Sequence, residues 1–335
     1  MRLGILLVGL GLGCGPLPMG PDASLPAIPT AKPTAKQPPD HVVGGFVAEV
    51  PPTTLAPGEE RFACYIFPLE ISGPSNIVGG ASLTIQAGMH HGNVTTRPQT
   101  GAGLRKCPPK DSGLNSGSDV AAGGTVVFGS STQLVGSEWQ TFPPGMGYRV
   151  KTSHEIVARL HYLNASSKPI TVAPKYQWYT IDESSLKTEL GPFLWTYTGF
   201  AIPPHVAQTV TGSCTFPHPM HLVNLLPHMH KLGTHFSAGY LGGPLDGKSF
   251  LESPGYDPDN GVLVQYDPAV DLGLGDGARF SCTWNNTFDK TIVEGVGDDE
   301  MCMMFGYAYP PGNAYSVIAS EGDNCVALSV GLPQD

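Results

Sequence analysis

Four short stretches carry side chains whose type and spacing could hold a metal ion. His228-Met229-His230 lies in an apolar segment that reads as a β-strand, where residues two apart share a face, so both imidazoles project together. His90 and His91 are adjacent, between Gly88-Met89 and Gly92. In a regular strand they face opposite ways; sharing one ion needs a local distortion, which the flanking glycines permit. A turn with two exposed imidazoles fits the same residues. His161, in Leu160-His161-Tyr162, reads on its own as a hydrogen-bonded core histidine. Met301 follows three acidic residues, Asp298-Asp299-Glu300, and alone reads as the start of a hydrophobic strand. As a ligand it would be specific: a thioether selects Cu(I) over zinc, whereas imidazole suits either, so a His/His/Met set is a copper site with a redox purpose.

The elements that must position these residues are short and separated by turn formers. Glycine (43) and proline (33) punctuate brief apolar runs, and charged residues are only 14% of the 335. That pattern favours an all-β fold. Strands are expected at Phe62–Leu69, at Ala81–Ala87 with Leu83 and Ile85 on one face, and across Ile170–Ile181. Further apolar stretches run through Trp195–Ile202, Val206–Cys214, Met220–Leu226, Val262–Tyr266, Ala278–Trp284 and Met301–Tyr309, with His228 continuing as a strand through Phe236 to Leu241. Residues 95–124 read as a long loop pinned by Cys107. Glu155–Asn164 fits a helix or a strand equally, since Ile156, Val157, Leu160 and Leu163 satisfy both periods. Asp182–Gly191 is the best domain boundary. The economical reading is two β-sandwich domains, 42–188 and 189–335.

The first thirteen residues read as an export signal, with Arg2 followed by the apolar run Ile5–Leu12, too short to span a bilayer. The run ends in Leu12-Gly13-Cys14, which resembles a bacterial lipoprotein cleavage site with Cys14 lipidated; ordinary secretion is the alternative. Residues 14–41 are a proline-rich tether. The expected location is therefore the bacterial cell envelope or the exterior. A net charge of −10 with no basic cluster argues against nucleic acid as a partner. Beyond Cys14 there are six cysteines, an even number that suggests disulfides without choosing among 15 pairings.

Taken in order, His90-His91, His161-Tyr162, His228-Met229-His230 with Gly233, and Asp299-Glu300-Met301-Cys302 give the chain a family resemblance. It resembles the copper type II, ascorbate-dependent monooxygenases, which include peptidylglycine α-hydroxylating monooxygenase and dopamine β-monooxygenase. Pro219-Met220-His221 adds to the likeness, which spans roughly residues 45–330. The resemblance implies a tandem of antiparallel, jelly-roll-like β-sandwiches with two copper ions, one per domain, across a solvent-filled cleft. His90, His91 and His161 would form an electron-relay site; His228, His230 and Met301 would bind the copper that activates dioxygen. It also makes Glu155–Asn164 a strand and pairs Cys64 with Cys107, Cys214 with Cys325, and Cys282 with Cys302. The implied reaction is hydroxylation of a C–H bond of a small molecule by dioxygen, with ascorbate as the reductant.

Three positions depart from the peptide-amidating members. Leu226 stands where they have an arginine, and Met303 and Phe305 stand where they have asparagine and tyrosine. An apolar wall cannot give a peptide carboxylate the bidentate pairing of arginine. A substrate pocket built from Leu226, Met303 and Phe305 predicts a less polar substrate. His154 is expected to be exposed, and His205, His218 and His235 fit the surface or the surroundings of a metal ligand. His221 is the histidine closest in sequence to the His228 strand. The competing readings are an exported copper-binding protein without turnover, a disulfide-stapled adhesion module, and, least favoured, a zinc hydrolase.

Overall fold

The computed structural model describes residues 26–330 except 86, 110–118, 121, 131–135, 216–217, 259–260, 262, 296, 320–323 and 327. The expected leader and Cys14 lie outside the described residues. The architecture is all-β. Four principal sheets divide by sequence. One joins Val42–Glu49, Lys175–Ile181, Ile77–Ile85, Met146–Arg149 and Thr188–Glu189, with Gly136–Thr141 paired to Ile77–Ile85. A second runs Arg105–Lys106, Glu60–Pro68, His154–Leu163, Met89–Pro98, Val126–Ser130. The third and fourth come from residues beyond 190, apart from Ala31–Pro33, and contain Met220–His228 beside Met303–Tyr309, and Gly233–Leu241 beside Gly277–Asn285.

Alternating burial marks strands with one face in a core, as in Lys175–Ile181 and Ala207–Thr215. His154–Leu163 is different: every residue but the last is buried, because its outer face is covered as well. A strand buried on both faces has no period-two signal, which is why residues 155–164 fit two periods in the sequence. The 95–124 loop is shorter than expected, since Met89–Pro98 carries its strand through Thr95 and Thr96. Those threonines stay in the ladder because they are buried and partnered: Thr95 donates to Asp119 at 2.6 Å. Arg159, wholly buried on the neighbouring strand, pairs with the same carboxylate.

The tether is not wholly free of the fold. Ala31–Pro33 adds an antiparallel edge strand to Val264–Leu272, and the Thr141 hydroxyl donates to the Gln37 carbonyl. The segment therefore touches both halves of the chain.

One core cluster is built from residues beyond 190, whereas the other, centred on the first half, recruits from the second half. Val223, Leu226, Leu263, Phe305 and Tyr307 pack with Phe46, Tyr148, Trp178 and their neighbours. Tyr307 is the centre of this junction. Its ring stacks on Tyr148 at 5.1 Å and meets Phe142 edge-on at 4.9 Å, while its hydroxyl donates to the Val126 carbonyl at 3.2 Å. Tyr307→Ala is expected to cost about 3–5 kcal/mol, since it empties a fully buried site and orphans a carbonyl. A urea titration reads this as a lower midpoint; a loss under about 1 kcal/mol would mean that the halves do not depend on this contact.

Candidate metal centre

The His91 strand solves the problem that adjacent residues face opposite ways. His161 pairs with His91, but Tyr162 pairs with Met89, so His90 is an extra residue bulged out of the ladder. The bulge brings the His90 and His91 rings to 4.7 Å, and both close on His161, at 4.9 and 4.7 Å. Gly88, at φ +100°, makes the preceding turn, and a side chain at Gly92 would meet the Arg159 carbonyl at 2.8 Å.

The second pair forms differently from the sequence expectation. The strand Met220–His228 ends at its histidine, and His230 lies in the turn that carries the chain to Gly233–Leu241 in the other sheet. Strand alternation therefore does not set the pair. Instead the Glu300 carboxylate clamps the turn. It accepts from the backbone N–H of His230 at 2.7 Å, of Leu232 at 2.7 Å, and from the Trp284 indole at 2.9 Å. The His230 ring is fixed separately, its Nδ1 donating to the Asp299 carbonyl at 2.7 Å. His228 and His230 end with ring centres 5.1 Å apart.

Met301 is half-buried just before Met303–Tyr309, whose first residue pairs with His228. Its backbone bonds the same Glu300 carboxylate, and the Cys282–Cys302 disulfide staples the next residue to the facing sheet. The Cys64–Cys107 disulfide is also present. Cys214 is disulfide-bonded and lies opposite Cys325 in the strand register; the Cys325 side chain is outside the described residues.

The two histidine sets are not separated by a solvent-filled cleft. His91 lies 5.4 Å from His228 and 5.3 Å from His230, ring to ring, so the sets adjoin and His91 belongs to both. The physical reason lies beside them. Leu226 and Phe305 pair across their strands and are buried in the core shared with the first half, where the Phe305 ring lies over Gly129. Side chains without hydrogen-bonding needs can be sealed there, and both are buried; Met303 is half-buried. His221 sits at the far end of its strand, stacked on Tyr309 and paired with Asp271. His154 is buried, not exposed, against the Thr96 hydroxyl. His205 and His235 form surface pairs with Asp289 and Glu252.

Burial dominates the protonation of the site. It pushes His90 down to about 4, holds His91 and His228 well below the usual imidazole range, and lowers His161 and His230. Neighbouring histidines push the first three further down. Neutral imidazole is the metal-binding form. Burial also raises Glu300 to about 7 against the pull of its hydrogen bonds, and Glu294, bridged to Glu300 in the backbone, to about 8.

Copper fits these residues. Among the described residues, His228 Nδ1 and His230 Nε2 are buried without a partner, and the proton on His230 Nδ1 leaves the lone pair on Nε2. Glu60 and Glu300, which hold His161 and the His230 turn, were not singled out in the sequence. Glu300 is signalled only by its place in an acidic run that a hydrophobic strand follows, and Glu60 by nothing.

Residues 192–329 match the family model described as the copper type II ascorbate-dependent monooxygenase C-terminal domain. The match is confined to this stretch, which is similar to that family. It holds His228, His230 and Met301, while His90, His91 and His161 lie outside the match. A search of curated proteins found no match. Among solved structures, infectious bursal disease virus Gx strain overlaps 82% of this chain and 75% of its own, at 11% identity and a TM-score of 0.18. A triple jelly-roll protein of an archaeal virus overlaps 79% and 59%, at 10% identity and a TM-score of 0.18. Overlaps this loose carry no weight for fold or function.

The site's protonation gives a pH profile for the metal-free protein. The five histidines have folded values below the ordinary 6.5, so their contribution is complete above that pH and is lost as pH falls toward 4. Glu294 and Glu300 have raised values, so theirs is lost as pH rises from 4.5 through 7 and 8. Calorimetry should find maximal thermal stability near pH 6.5, with a steeper fall on the acid side, where five groups act against two. A melting temperature flat between pH 4.5 and 6.5 would contradict this.

Proposed function

We propose that the chain is a copper-dependent monooxygenase that hydroxylates a C–H bond of a small, rather apolar substrate, using dioxygen and a one-electron donor such as ascorbate. One oxygen atom enters the C–H bond, and the other leaves as water with two electrons and two protons. The observation that carries this reading is the set of His228, His230 and Met301 within the matched domain, with two buried imidazole nitrogens left for an ion. In this reading each half of the chain is a β-sandwich, and the protein binds two copper ions. His90, His91 and His161 hold the relay ion. His228, His230 and Met301 hold the ion at which dioxygen reacts.

Copper, when bound, supplies the one-electron steps and the affinity for dioxygen. The residues supply the rest. Neutral imidazoles and a thioether add no negative charge, which favours the reduced ion. Glu300 and the Cys282–Cys302 bridge hold the histidine turn and Met301 in register. Glu60 accepts a hydrogen bond from His161 Nε2 at 2.6 Å, which leaves the lone pair on Nδ1 for an ion. Leu226, Met303 and Phe305 supply the apolar surface that a substrate would meet once the halves part. The leader and Cys14 would place the enzyme outside the cytoplasm, tethered by lipid or secreted.

The sealed junction at Leu226 and Phe305 favours one alternative, an exported copper-binding protein without turnover. Oxygen uptake separates the two. The copper-loaded protein should consume oxygen with ascorbate, and Met301→Ala should abolish uptake while retaining copper at the other histidines. Uptake unchanged by Met301→Ala would remove the role given to that thioether; no uptake by the wild type would favour the binding protein. A glycine-extended peptide should not be turned over.

A further inference from the structure

His91, His228 and His230 surround a single point between the two halves. Their ring centres form a nearly equilateral triangle with sides of 5.4, 5.3 and 5.1 Å. A zinc ion about 2.0–2.1 Å from each imidazole nitrogen has the ring centres about 3.2 Å away, and a tetrahedral angle then sets them about 5.2 Å apart. The observed triangle matches that spacing on every side, and the ligand nitrogens lie within 4.8 Å of one another.

The protons are arranged to match. Glu60 accepts from His161 Nε2, so His161 Nδ1 is an acceptor, and it lies 2.7 Å from His91 Nε2. His91 therefore donates from Nε2 and carries its lone pair on Nδ1. His230 donates from Nδ1 to Asp299 and carries its lone pair on Nε2, which is buried and unpartnered. His228 Nδ1 is likewise buried and unpartnered. Unpartnered nitrogens in a site this dry are costly unless an ion takes their lone pairs.

We infer that His91, His228 and His230 form a third metal site, shared by the two halves, for one divalent ion of the zinc class. The inference rests on reading these histidines as metal ligands, not on turnover. Without a thioether the set has no preference for Cu(I), and three neutral imidazoles with one open position suit Zn(II). An ion here takes one ligand from the relay set and two from the dioxygen set. It leaves neither copper site complete and pins the halves together. Zinc is thus a closing, inhibitory ligand, and Glu60 is a positioning residue that acts through His161 and His91.

The test is a titration of the metal-free full chain with Zn(II) alone. One ion per chain is expected, with an X-ray absorption spectrum of imidazole nitrogens and no sulfur. His91→Ala should weaken binding by about a hundredfold or more, and Glu60→Gln by about tenfold, with the fold checked by circular dichroism. His90→Ala and Met301→Ala should leave the zinc affinity unchanged. A sulfur neighbour in the wild-type spectrum, wild-type affinity in His91→Ala, or loss of zinc in Met301→Ala would each overturn the shared site. The copper reading is judged separately, by oxygen uptake of the two-copper protein, so either can fail without the other.

Discussion

Five imidazoles can occupy one small buried volume only if they are uncharged. Two protonated rings at about 5 Å would repel by about 3 kcal/mol at an effective dielectric near 20, before the cost of taking each from water. His90, His91, His161, His228 and His230 are neutral for this reason, with burial the leading cause in every case. Neutral rings still have to place their protons. Carboxylate and carbonyl acceptors decide that: Glu60 for His161, Asp299 for His230. The surrounding structure then serves to keep water out and the rings in place. Its main parts are the bulge at His90, the Glu300 clamp on the turn and the Tyr307 junction between the halves.

The all-β character was legible in the punctuation of apolar runs by glycine and proline. So were the five histidines that the fold gathers, once four weak motifs were taken in order. What was not legible has specific causes. Two histidine-bearing strands do not alternate: His154–Leu163 and Met220–His228 are buried on both faces. Periodicity therefore gave little help at these two strands. The His-x-His pair looked like two residues of one strand, but its geometry comes from Glu300, 70 residues from His230 in sequence. A tertiary clamp of that kind leaves no local pattern. The bulge at His90 was foreshadowed by Gly88 and Gly92, which allow the turn and the close backbone approach that it needs.

The contact between the two histidine sets was the least expected feature, and it follows from the apolar substitutions noted in the sequence. By the family resemblance, Leu226 and Phe305 occupy positions that hold polar groups in the peptide-amidating members. A buried arginine there would need a partner across the junction, whereas leucine and phenylalanine need only volume, and Gly129 provides room for the Phe305 ring. The same apolar side chains let the halves close. In the proposed monooxygenase reading, an outside substrate would need an opening that separates His91 from His228 and His230.

Convergence of the two sets is tested most directly by the electron paramagnetic resonance spectrum of the chain loaded with two Cu(II) ions. Ions held by adjoining histidine sets should couple, with dipolar broadening and a half-field transition. A spectrum equal to the sum of two isolated Cu(II) centres would contradict the convergence and restore two separate sites.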